Sequence, residues 1–89
     1  MYHSLGKYGK AEEYQMKALV ITQQIGDRQG EANSYGNLGN VYGYLGKYEK
    51  AEEYQKKALR INQEIKDRKA EATCYGNLQL WTKVLIGTN

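Results

Sequence analysis

Sliding the 89-residue sequence along itself by forty positions aligns Tyr2–Leu38 with Tyr42–Leu78, and 25 of those 37 positions are identical. The run Gly6-Lys7-Tyr8, then Lys10-Ala11-Glu12-Glu13-Tyr14-Gln15, returns as Gly46-Lys47-Tyr48 and Lys50-Ala51-Glu52-Glu53-Tyr54-Gln55. No other property of the chain constrains its fold so tightly. A period between about twenty and fifty residues marks an array in which each unit buries its apolar face only against its neighbours. The chain is therefore expected to be one domain, residues 1–89, with no central core large enough for an enzyme.

The spacing inside the unit identifies its parts. Tyr8, Ala11, Tyr14, Ala18, Ile21 and Ile25 step by three or four residues, as do Tyr48, Ala51, Tyr54, Ala58, Ile61 and Ile65, which predicts one amphipathic helix type. Ala32, Tyr35, Leu38, Tyr42 and Leu45 keep the same step and predict a second type between them, opened by an Asp27 N-cap and closed by Gly46. Asp67 repeats the cap. Connections as short as Leu45-Gly46-Lys47 place successive helices antiparallel. The predicted elements are a helical remnant over 1–5, helices over 8–26, 28–45 and 48–66, and a divergent helix over 68–86. The fold class is all-α, an antiparallel helix-turn-helix solenoid of four main helices.

Gly36, Gly39 and Gly43 sit inside the second helix type, where each costs about 1 kcal/mol against alanine. Close approach of a neighbouring helix is the expected compensation, with Gly39 meeting the small Ala51 and Ala58. A phosphate-cradling loop is the rival, and the spacing does not supply it: no Gly-x-Gly-x-x-Gly occurs, and Gly46-Lys47 lacks the flanking Gly and Ser/Thr of a nucleotide loop.

Asn37-Leu38-Gly39-Asn40, then Tyr42, Leu45-Gly46, Tyr48, Ala51 and Ala58-Leu59 resemble the tetratricopeptide repeat (TPR) signature. The forty-residue period, Asp27-Arg28 with Asp67-Arg68, and the literal Leu38-Gly39-Asn40 are most similar to the longer repeats of the Pins-type Leu-Gly-Asn adaptors. The resemblance spans almost the whole chain and fades after Leu78. It implies helix pairs, an inner helix A lining a concave groove and an outer helix B, in the order B-A-B-A here after the remnant. The chain departs from the family pattern in carrying Gln15 and Gln55 where helix B usually has a large aromatic, in having no helix-ending proline, and in Gln79 replacing the glycine of Leu-Gly.

Catalytic chemistry has little to stand on. Glu12-Glu13 and Glu52-Glu53 are adjacent on a helix, point about 100° apart and share their face with lysines. His3 is the one histidine, with neither a second imidazole nor a cysteine pair to complete a metal site. Cys74, matching Ser34, reads as a small buried residue, since a catalytic thiol needs a base beside it. No enzyme activity, cofactor or metal is expected.

Composition bounds the partners. A net charge of +3, spread without a run of like charges, and lysines interleaved with glutamates on helix B leave no basic stripe, so nucleic acid is a remote alternative resting on stackable tyrosines. No window approaches the apolar length of a membrane span, and the lone cysteine and absence of a secretory signal suggest a cytoplasmic location.

The leading expectation is a protein-protein interaction module that binds an extended peptide of a partner. The resemblance places Asn33, Asn37, Asn40 and Tyr44, then Thr73, Asn77, Leu80, Lys83 and Val84, along the helix A groove, with Gly36, Gly43 and Gly76 leaving its floor open. Asparagine carboxamides both donate and accept, so they can grip a peptide backbone whatever its side chains. The alternative is self-association through the open repeat ends, anchored by Leu78, Trp81 and Leu85. In that case the chain forms a homo-oligomer, a two-fold dimer being favoured because Gln79 obstructs head-to-tail stacking.

Overall fold

The computed structural model describes residues 2–87, with side chains from residue 7 onward. Four α-helices follow one another: α1 (Tyr2–Ile25), α2 (Arg28–Tyr44), α3 (Tyr48–Glu64) and α4 (Arg68–Leu85). Each packs on the next in sequence, while α2 and α4 barely touch. This is the nearest-neighbour layering that a repeat imposes. Among the described residues there is no strand.

Three turns share one construction. In the second, after α2, Lys47 N donates to Tyr42 O at 2.8 Å and Gly46 N to Gly43 O at 3.1 Å, with Gly46 at φ +82°. These are the paired bonds of a Schellman C-cap, which needs a left-handed residue just past the helix. The equivalent position after α3 is Lys66, which takes φ +61° despite its Cβ. The caps shorten the helices by a residue or two against the expected ends at 45, 66 and 86. At the other ends Asp27 accepts from Gly30 N at 2.9 Å and Asp67 from Ala70 N at 3.1 Å, as expected of N-caps.

One expectation fails. Leu5-Gly6-Lys7-Tyr8 repeats as Leu45-Gly46-Lys47-Tyr48, yet only the second copy turns; α1 runs unbroken for 24 residues and absorbs the expected remnant over 2–5, while Met1 lies outside the described residues. Reversing the chain forfeits helical hydrogen bonds, and burial of one helix on the next offsets that loss at Gly46. At Gly6 no such packed partner helix is present among the described residues, and the helical hydrogen bonds run on.

The core forms where α2, α3 and α4 meet: Leu38, Tyr42, Ala51 and Trp81, joined by Leu19 of α1. Tyr42 lies edge-on to Tyr54 at 5.1 Å, and Trp81 stacks on Tyr48 at 5.9 Å. Because α3 packs between α2 and α4 while α1 packs on α2 alone, the repeated apolar stripe is buried on α3 and largely open on α1. Ile61 is 4 % exposed, its counterpart Ile21 55 %.

Gly39 behaves as anticipated. A Cβ there would stand 3.1 Å from Ala51 O and 2.9 Å from the Gln55 side chain, so α3 seats directly on the glycine.

Candidate functional site

A cleft of about 320 Å³ opens between α2 and α4, with α3 as its floor. Asn33, Asn37 and Asn40 stand along one wall, Thr73, Cys74 and Asn77 along the other, and Gln55, Ala58 and Asn62 beneath them. The wall residues follow helical spacing on α2 and α4, and the floor residues fall three and four apart on α3, which puts them on one face. Separation of α2 from α4 by an intervening helix keeps the cleft open.

Five of the nine groove residues expected from sequence are thus brought together: Asn33, Asn37, Asn40, Thr73 and Asn77. The other four lie outside the cleft lining. Tyr44 is exposed on the far end of α2, where it stacks on Tyr8 at 5.1 Å and meets Trp81 edge-on. Leu80, Lys83 and Val84 are exposed on the last turns of α4, beyond the cleft. Gly36 leaves open space above the floor, while Gly76 has nothing near it.

Gly43 follows the close-approach expectation and not that of an open groove floor. A Cβ there would fall 2.3 Å from the Trp81 ring, so the glycine is the seat of the indole and not an opening in the groove. Trp81 is in consequence only 7 % exposed and cannot serve as a free anchor for self-association. The chain's own α2 and α3 already cover it. Leu78 is half-buried and Leu85 exposed, so these two alone remain of that set.

Sequence reasoning missed the floor. Gln55 is 0 % exposed; its Nε2 donates to Gly36 O at 2.9 Å and to Asn40 Oδ1 at 3.1 Å, which ties α3 to α2 and orients a wall asparagine. Asn62, 3 % exposed, donates through Nδ2 to Cys74 Sγ at 3.4 Å. The signal was present as the departure from the aromatic of helix B: a polar residue at a core position needs partners, and the cleft wall provides them. Burial pushes the Cys74 thiol up from its ordinary value, against a smaller opposing effect of the Asn62 hydrogen bond. An unreactive, protonated thiol follows. His3, discounted as a metal ligand, lies outside the described side chains.

Beyond the cleft, two polar ties repeat at the forty-residue interval. Tyr42 donates to Glu12 Oε2 at 2.7 Å across α2 and α1, and Thr82 donates to Glu52 Oε2 at 2.9 Å across α4 and α3. Burial, then the Glu12 carboxylate, holds the Tyr42 phenol well above the usual tyrosine range. Arg28 bridges Glu31 of its own helix and Glu64 of α3. The outer face of α3 mixes Glu49, Glu52 and Glu53 with Lys56, Lys57 and Arg60. No described helix is long and apolar enough to cross a membrane.

Paired antiparallel helices with an amide-lined inner cleft define a helical-repeat interaction module. Residues 1–64 and 32–82 match the tetratricopeptide repeat family, and the chain belongs to it. Repeats of this family mediate protein-protein interaction and are not an enzymatic fold. Over 40 residues the chain is 48 % identical to human (Homo sapiens) G-protein-signaling modulator 1; the match covers 45 % of this chain and 6 % of that relative.

Proposed function

We propose that the cleft between α2 and α4 binds an extended segment of a partner protein, held by the carboxamides of Asn33, Asn37, Asn40 and Asn77. The observation that carries this reading is the convergence of these four asparagines, from two separate helices, on one open cleft. Each carboxamide can donate to a peptide carbonyl and accept from a peptide N–H, so the backbone is engaged regardless of side chain. No charged clamp surrounds them: Asp67 and Lys69 at the rim offset each other. A random peptide library displayed on phage, panned against the 89-residue chain, tests the reading. Enrichment of sequences that no longer bind an Asn37→Ala/Asn77→Ala variant is the expected result. A library that enriches nothing above that variant's background refutes it.

A second reading rests on the apolar stripe of α1, where Tyr14, Ile21 and Ile25 are exposed. Another copy of the chain would cover it. Head-to-tail stacking is obstructed, because Gln79 occupies on α4 the place of Gly39, where even a Cβ meets the seated helix at 3.1 Å or less. The copies would therefore meet about a two-fold axis, with Leu78 and Leu85 at the margin. Sedimentation equilibrium over a wide concentration range distinguishes this from the groove reading, since only self-association makes the mass depend on concentration.

A further inference from the structure

The floor of the cleft is chemically one-sided. The Gly36 carbonyl can only accept, so the Gln55 carboxamide must turn its Nε2 toward α2, and Oε1 is left buried with no partner among the described residues. The oxygen is closed over in the unliganded fold, but the cleft is loosely filled beside it: a Cβ placed on Gly36 would come no closer than 4.0 Å to Gln55 Oε1 or to Ala58 Cβ and would meet nothing nearer. Seven residues further on, about 10 Å along α3, Asn62 Oδ1 is a second buried acceptor with no partner among the described residues. Its Nδ2 is already engaged with Cys74. Buried polar atoms in folded proteins are nearly always paired, and these two belong to residues that line the cleft between α2 and α4.

Resting on the peptide-groove reading above, we infer that the cleft selects a primary carboxamide, an asparagine or glutamine side chain of the bound segment, whose N–H is donated to Gln55 Oε1. The alternatives fail on chemistry. A carboxylate brings only acceptors to an acceptor floor. An alkyl group leaves the oxygens unpaired. A lysine or arginine would satisfy them but would enter a desolvated site whose one lining carboxylate, Asp67, is already engaged by Ala70 N and Gln29 Nε2. A neutral carboxamide donates to the floor and accepts from the asparagines on the walls. The lining side chains need only turn aside to admit it, as Gly36 offers no Cβ in the way.

Titration of the isotope-labelled 89-residue chain with small probes, followed by the side-chain NH₂ resonances of Gln55 and Asn62, tests the inference. Propionamide should shift them, with propionate and 2-butanone binding about tenfold more weakly, the cost of one buried acceptor left unpaired, and propylammonium binding more weakly because its charge must be desolvated. Gly36→Ala, which fills the space beside Oε1 without a clash and should fold at least as stably, should abolish the response to propionamide. Equal responses to propionamide and 2-butanone, tighter binding of propylammonium, or no response to propionamide because water already satisfies the floor, would each overturn the inference. The panned library separates this from the reading beneath it. Peptides that bind with no preference for Asn or Gln sink the carboxamide assignment alone, whereas a library that enriches nothing sinks the groove reading itself.

Discussion

Two glycines seven residues apart on the same face of α2 should respond to alanine in opposite directions. At Gly36 the added methyl meets nothing closer than 4.0 Å, so the substitution removes only the backbone freedom of glycine and should stabilise the fold by about 0.5–1 kcal/mol. At Gly43 the same methyl would stand 2.3 Å from two carbons of the Trp81 ring and 2.8 Å from a third. The indole cannot yield by bending a flexible tip, since it is stacked on Tyr48 and backed by Tyr44. Overpacking of this kind costs about 1–3 kcal/mol. Set against a helix-propensity gain of about 1 kcal/mol, Gly43→Ala should lose up to about 2 kcal/mol. Urea denaturation followed by circular dichroism and by the fluorescence of Trp81, the sole tryptophan, measures both at once. The Gly43→Ala emission should also shift to the red as the ring is displaced toward water. Equal stabilisation by the two substitutions, with unchanged emission, would show that Trp81 does not pack on α2 and would undo the account of α4 docking.

Other expectations follow from single contacts. Lys66→Gly should stabilise the chain by about 1 kcal/mol in the same denaturation assay, because Lys66 holds φ +61° where its equivalents Gly26 and Gly46 carry no Cβ. Asp27→Ala should cost about 1 kcal/mol through loss of the bond to Gly30 N, read as a lower melting temperature. The Tyr42 phenol is raised in the folded state, so its contribution is fully present below the ordinary tyrosine value of 10 and is lost as pH rises beyond it, because the unfolded chain ionises first. Melting temperature should therefore fall above about pH 10, and less steeply in Tyr42→Phe, which removes the group that titrates.

The forty-residue period, both helix types and the aspartate caps were legible because they are local: they depend on spacing and on side chains that bond their own backbone. Asn33, Asn37, Asn40 and Asn77 were placed by the resemblance to the repeat family, which puts helix A on the inner face; helical phase then keeps the three on α2 to one side. What escaped was decided by neighbours. Leu5-Gly6-Lys7-Tyr8 is a turn by local signal and lies within the continuous helix α1 in the fold. Trp81 read as a free apolar anchor, yet Gly43 on another helix makes room for it. Gln55 stood out as an oddity in a core position, but its meaning required knowing that the Gly36 carbonyl and Asn40 lie across from it.

The split burial of the repeated stripe has a further consequence. Lys10-Ala11-Glu12-Glu13-Tyr14-Gln15 and Lys50-Ala51-Glu52-Glu53-Tyr54-Gln55 are the same hexapeptide, in helical backbone both times, but α1 has one flanking helix and α3 has two. Intrinsic propensity, side-chain volume and composition cancel between them. Any difference in amide exchange, or in the reactivity of Tyr14 against Tyr54, is then the free energy supplied by an added neighbour and by nothing in the segment itself. The molecule carries its own reference state, and the coupling that holds a repeat array together can be read as a difference between twin residues within a single chain.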